Sequence, residues 1–161
     1  MDPQDSPPQE HEESTKKSKK PKAAITWVQD YLSRRSHSEK ELLEKLLKKE
    51  FPEDVCLEAI AFAKERKWMD QPEELAEKVY NEWDLKNKSH SWICGYLDEK
   101  GLPIFLERNS SREAEKAAYH LLKKFGKINN DNYKRASSNI ASKGFSYGDF
   151  KNALEILKDD L

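Results

Sequence analysis

The sequence predicts an all-α protein: three tandem three-helix repeats of helix-turn-helix kind, forming an elongated, curved molecule behind a disordered N-terminal tail. Three observations lead there. From residue 22 onward, apolar residues recur at helical spacing with little alternation of period two. Only 36% of the 161 residues are hydrophobic while 37% are charged, which suits thin elements with one buried face better than a thick globule around a sheet. A short motif also recurs three times at a helix end, as expected of stacked units that each bury a small core.

Residues 1–21 hold four of the seven prolines, no glycine and almost nothing apolar after Met1. Such a stretch cannot bury enough surface to offset the entropy of ordering, so it reads as a disordered charged tail. Its Lys16, Lys17, Lys19 and Lys20 read as a solvating run rather than a phosphate contact. The first repeat, residues 22–70, carries three stripes: Ile25, Val28, Tyr31 and Leu32; Leu42, Leu43, Leu46 and Leu47; Val55, Ala59, Ile60 and Ala63. The second, residues 71–110, carries Leu75, Ala76, Val79, Tyr80 and Trp83, then Trp92, Ile93, Tyr96 and Leu97, then a short third helix around Ile104 to Leu106. The third, residues 111–161, carries Ala114, Ala117, Ala118, Leu121, Leu122 and Phe125, a weaker set of Tyr133, Ala136 and Ile140, and finally Phe150, Ala153, Leu154 and Leu157.

Local punctuation agrees with this division. Ser38 with Glu41, and Ser110 with Glu113, have the spacing of a capping box, in which hydroxyl and carboxylate satisfy orphan N–H groups at a helix start. Pro52, Pro72 and Pro103 fall where a first helical turn tolerates a missing donor. Gly101, Gly126 and Gly144 follow helical runs, where a left-handed cap belongs. The recurring motif is Leu46 to Pro52, Leu97 to Pro103 and Ile140 to Ser146: apolar-x-x-Lys, mostly Gly, a large apolar residue, then a helix starter. Phe51, Leu102 and Phe145 are therefore expected to plug the angle between successive helices.

Several functions are excluded at this stage. Cys56 and Cys94 lack CxxC spacing and lie inside helical patterns, so both are expected to be reduced and structural. No Gly-rich phosphate loop, HExxH, GxSxG or zinc spacing occurs. His90 and Cys94 share a helix face, but two ligands do not hold zinc, and His37 lacks the nucleophile and orienting partner of a general base. No enzyme, metal or cofactor is expected. Trp27, Trp68, Trp83 and Trp92 lie beside or within apolar stripes and read as core residues rather than base-stacking platforms. The N-terminus has no apolar core for a signal peptide and no run approaches the ~20 residues that span a bilayer, so a cytoplasmic protein is expected.

Arg34-Arg35-Ser36-His37-Ser38-Glu39-Lys40-Glu41-Leu42 resembles the RecX segment in which paired basic residues precede a His-Ser and a helix opens with Glu. Trp68-Met69-Asp70-Gln71-Pro72 is similar to that family's aromatic-apolar-Asp-Asp turn, and Leu122-Lys123-Lys124-Phe125 with Lys143-Gly144-Phe145-Ser146-Tyr147 is similar to its third repeat. The likeness runs from about residue 22 to the end. Gln71 replaces an acidic residue and Lys67 stands where Gly is usual. The resemblance implies a non-catalytic monomer that lies along the groove of the RecA–DNA filament. There it modulates, most simply inhibits, strand exchange and RecA-dependent cleavage of the LexA repressor, and so regulates recombination, repair and the SOS response.

Charge narrows the contact surface. Lys plus Arg total 29 against 30 Asp plus Glu, so contact with nucleic acid must come from local patches. Residues 111–161 are the basic third, with ten basic against seven acidic groups. Arg34, Arg35, Lys48 and Lys49, and separately Lys123, Lys124, Lys127, Lys134, Arg135 and Lys143, are the candidate contacts to filament protein or its DNA. Two rival readings are an independent helix-turn-helix DNA-binding protein, which would bind bare DNA with steep salt dependence, and a helical-repeat scaffold for peptides.

Overall fold

The computed structural model describes the backbone of residues 9–159 and the side chains of residues 20–158. Among the described residues there are eight helices and no strand: α1 (Gln9–Arg34), α2 (Glu39–Lys48), α3 (Glu53–Glu65), α4 (Pro72–Leu85), α5 (His90–Glu99), α6 (Ser110–Phe125), α7 (Tyr133–Ser142) and α8 (Tyr147–Asp159). The tail expected over residues 1–21 falls, for residues 1–8 and for the side chains of residues 9–19, outside the described residues. The chain divides into two compact units, one up to Pro72 and one from Glu73 on.

In the first unit, Ala24 and Val28 of α1, Leu42 and Leu46 of α2, and Val55, Cys56, Ala59, Ile60 and Ala63 of α3 form one core. The small residues on α3 let the three helices approach closely while the leucines fill the space between them. Helix α2 starts at Ser38 because its hydroxyl accepts the Glu41 N–H at 3.1 Å and the Glu41 carboxylate accepts the Ser38 N–H at 3.2 Å. The expected capping box is present.

The second unit holds two cores. Leu75, Ala76, Ile93, Leu97 and Leu102 form the first, with Val79, Tyr80, Trp83 and Trp92 half-buried against it. Ala117, Ala118, Leu121, Ala136, Ile140, Phe145, Phe150 and Ala153 form the second, on α6, α7 and α8.

One device closes five of the helices. The N–H groups of Phe51, Trp68, Lys88, Leu102 and Phe145 return to the carbonyls of Leu46, Ala63, Trp83, Leu97 and Ile140 at 3.4, 2.9, 3.1, 2.9 and 3.3 Å. The residue before each, Glu50, Lys67, Asn87, Gly101 and Gly144, has φ of 67°, 59°, 62°, 70° and 93°. This is the Schellman termination, in which a left-handed residue turns the chain and the next one drops its side chain back onto the helix. The recurring sequence motif is therefore a capping geometry, and only two of its five left-handed positions are glycine. Leu102 and Phe145 are buried, as plugs should be, whereas Phe51 is half-buried.

The structure differs from the sequence reading in several places. Residues 102–109 form no helix, so the short third helix of the second repeat is absent and Pro103 starts no helix. Pro103 fixes its own φ and pushes Leu102 away from the α region, and the few residues left before α6 must also carry Arg108 to Asp149. The start of α6 is capped by Asn109, whose side chain accepts the Arg112 N–H at 3.0 Å, not by a Ser110–Glu113 box. Glu113 is instead recruited to a buried ion pair. Trp27 and Trp68 lie largely at the surface rather than in a core, as do Leu47 and Leu122.

Candidate functional site

The candidate basic residues of the second unit separate into distinct places. Lys124 near the end of α6 and Lys134 and Arg135 in the first turn of α7 come together. With Phe125, Ser138 and Asn139 they line a hollow of about 730 Å³. The α6 and α7 walls are held by the packed core beneath them, which includes Ala117, Leu121, Ala136 and Ile140. The Lys124 ammonium and the Arg135 guanidinium both lie over the Phe125 ring, at 5.8 and 5.9 Å. Lys127 lies apart, beside an apolar groove that includes Leu122, Ile128, Tyr133, Leu154 and Leu157. The Lys123 ammonium sits over Tyr119 at 5.7 Å. Lys143 serves the fold through its carbonyl, which accepts the Ser89 hydroxyl at 2.9 Å.

In the first unit the candidates are also unequal. Arg34 is exposed and pairs with Asp30 at 3.3 Å across one helical turn. Arg35 grips the Glu41 carboxylate at 2.6 Å and the Ser36 carbonyl at 2.9 Å, so it braces the capping box that starts α2. Lys49 lies over the Trp27 ring at 4.2 Å, and Lys48 is exposed. His37, buried in the same turn, donates from Nδ1 to the Arg35 carbonyl at 3.0 Å and accepts from the Lys45 ammonium at 2.7 Å. Burial holds its pKa below the ordinary histidine value, against the hydrogen bond to the Arg35 carbonyl, which raises it.

A buried polar network went unseen in the sequence. The Lys116 side chain is fully buried and its ammonium meets Glu113, Asp84 at 2.8 Å and the Lys88 carbonyl at 2.9 Å, one acceptor for each proton. Glu113 also accepts the His90 N–H at 3.0 Å. Arg112 holds Asp84 through Nε at 3.0 Å and the Asp84 carbonyl at 2.7 Å. Burial raises the pKa of Asp84, but hydrogen bonds from Lys116 and Arg112 outweigh it and hold the carboxyl below its ordinary value. These groups tie the end of α4 and the start of α5 to α6. Spacing in the sequence offers no signal for Lys116, because its partners come from three segments and only Glu113 lies on its own helix.

The remaining polar clusters are structural. The Tyr80 hydroxyl and His90 Nδ1 share a hydrogen bond at 2.7 Å, and His90 Nε2 lies 3.3 Å from Cys94 Sγ. Burial, with the nearby Glu113 charge, pushes the Tyr80 phenol up to about 12 and the Cys94 thiol up as well, so neither is activated at neutral pH. Among the described residues no group of three or more His, Cys, Asp and Glu could hold a metal, and no helix is long and apolar enough to cross a membrane.

Residues 25–62 match the family model of the first three-helix domain of RecX. No curated protein matches the chain. Solved structures that share its fold include two RecX proteins. One, a regulatory protein RecX, is 18% identical over 94% of this chain and 80% of its own, with a TM-score of 0.69. The other, RecX from Lactobacillus salivarius, is 19% identical over 88% of this chain and 98% of its own, with a TM-score of 0.71.

Proposed function

We propose that this chain is a RecX-type protein that regulates a RecA-type recombinase by binding the RecA–DNA filament, as an inhibitor; the match of residues 25–62 to the first RecX three-helix domain and the fold shared with two RecX structures support this reading. The observation that carries this reading is the match over residues 25–62, which takes in the whole of α2 and most of α3. The geometry is compatible with it. Exposed cations on both units, Arg34 and Lys48 on one and Lys123, Lys124, Lys127, Lys134 and Arg135 on the other, offer many weak contacts rather than one deep pocket. Such contacts add through effective concentration when the partner is a repeating polymer. Action should then be by occupancy, without turnover.

Co-sedimentation with preformed filaments of the cognate recombinase on single-stranded DNA tests the reading. Saturable binding, weakened by the joint charge reversal Lys134→Glu and Arg135→Glu but not by Lys40→Glu, is the expected result. A protein that stays in the supernatant with filaments, yet binds bare DNA steeply with salt, would favour the independent DNA-binding reading instead.

A further inference from the structure

The second unit is built round two apolar cores that share no residue, one on α4 and α5 with Leu102 and one on α6, α7 and α8. Between them runs a polar seam. Arg112, Lys116 and His120 stand four residues apart on one face of α6, and each donates to a carbonyl at or just beyond the end of α4: Arg112 to Asp84 at 2.7 Å, Lys116 to Lys88 at 2.9 Å and His120 to Asn87 at 2.7 Å. Helix α4 has no basic residue in its last turn, so side chains of α6 satisfy its orphan carbonyls and complement its dipole. The seam extends to either side of these three. The Asp84 carboxylate holds Arg112 at 3.0 Å and Lys116 at 2.8 Å, the Glu113 carboxylate accepts the His90 N–H at 3.0 Å, and the Ser89 hydroxyl reaches the Lys143 carbonyl at 2.9 Å. The covalent link is slack by comparison: residues 103–109 form no helix and are mostly exposed.

We infer that the seam is a latched joint: it fixes the angle between the module of α4 and α5 and the module of α6, α7 and α8, and once it is broken the two swing about residues 103–109 with their cores intact. Apolar contacts are non-directional and tolerate sliding, whereas a hydrogen bond weakens steeply as donor and acceptor move out of line. Buried ions add little net stability over apolar groups of the same volume, so their contribution here is the choice of one orientation. Lys116 makes the latch close to all-or-none. Its side chain is fully buried and its acceptors come from α4, the turn after α4, and α6, so a shift of either module strands the ammonium away from water. Lys124, Lys134 and Arg135 ride on the module of α6, α7 and α8, and the latch sets the direction in which that cationic face is presented relative to α4 and α5. The inference concerns the free protein and stands apart from the filament reading.

Pulsed electron–electron distance measurement on the full chain tests the joint. Nitroxide labels go on Glu77→Cys of α4 and Lys151→Cys of α8, both exposed positions, in a parent that carries Cys56→Ala and Cys94→Ala. The joint change Asp84→Asn, Glu113→Gln and Lys116→Met removes the three charges together and strands none of them. It should keep the helicity and melting temperature of the parent while the distance distribution widens about twofold or more. Arg112→Gln, which leaves Lys116 with its three acceptors, should widen the distribution less, again with no loss of helicity. Lys86→Gln, which breaks only the exposed pair with Glu82, should leave the width as it is. An unchanged width in both seam variants would overturn the latch and assign the angle to backbone and apolar contacts. Widening that comes with lost helicity in both would mean that a module unfolds rather than swings, which overturns the joint, and so would equal widening from Lys86→Gln.

Discussion

Lys116 is the residue with most at stake, because a charge with no access to water survives only if every proton has an acceptor. Glu113, Asp84 and the Lys88 carbonyl meet that condition. Removing the ammonium strands two carboxylates, so Lys116→Met should lower stability by about 3–5 kcal/mol, read as a shift of the urea midpoint. An equal or higher midpoint would show that apolar packing replaces the network without loss. The left-handed residues make a second test. Glu50 and Lys67 hold φ near 60° with a Cβ that this region disfavours, so Glu50→Gly and Lys67→Gly should each raise stability by about 0.5–1 kcal/mol in thermal melts. Gly144→Ala should do the reverse and lose more. Its φ is 93°, and a Cβ there would meet Ser89 Oγ at 2.6 Å. Glu50 and Lys67 show what the sequence conceals: the turn is specified by the whole Schellman geometry, so a charged residue can occupy the glycine position at a strain penalty.

At the scale of elements, each helix end is a unit made of a left-handed residue and the apolar side chain after it. Phe145 is buried against α6 and α7, so Phe145→Ala should lower stability by about 3–5 kcal/mol in chemical denaturation. Phe51 is half-buried at the equivalent position, and its replacement should cost clearly less. Equal losses would mean that the two turns are not energetically alike. Helix stripes and caps were legible in the sequence because they depend on local spacing: Ser38 with Glu41 is one instance. Ser110 with Glu113 failed at the same spacing, because a buried lysine and the N-terminus of α5 compete for the Glu113 carboxylate and win. The irregular run 102–109 is hidden in the sequence for a related reason. Ile104, Phe105 and Leu106 have the composition of a short helix, while Pro103 at one end and the Arg108–Asp149 pair at the other work against one. The candidate site was legible only as a run of cations. That Lys124, Lys134 and Arg135 share a hollow while Lys123 and Lys127 do not depends on how α6 meets α7.

For the whole molecule, burial of titratable groups sets how stability responds to acid. His37 and His120 are held below the ordinary histidine value, first of all by burial, so the fold favours their neutral forms. Stability from these groups is complete above the unfolded-state pKa near 6.5 and declines as pH falls toward their folded values. Asp84 and Asp149 are lowered although burial raises them, because Lys116 and Arg112 on one, and Arg108 and Ser146 on the other, outweigh it. Their stability is present above the unfolded-state value near 3.9 and is lost as pH drops through the folded values. The melting temperature should therefore decline in two stages, one beginning near pH 6.5 and a steeper one below about pH 4. A flat profile between pH 7 and pH 5 would contradict the histidine assignment.

The near-balance of total charge bears on function as well. With 29 basic and 30 acidic residues the molecule has no global field to hold it on DNA, so any nucleic-acid contact is confined to local faces. The central claim is therefore regulation of a recombinase filament, and it is tested most directly by the ATPase rate of the cognate RecA on single-stranded DNA while this protein is titrated in. The account predicts a fall in rate that saturates at or below one molecule per recombinase protomer, and that weakens for the Lys134→Glu, Arg135→Glu variant. A rate unchanged at saturating protein would contradict it.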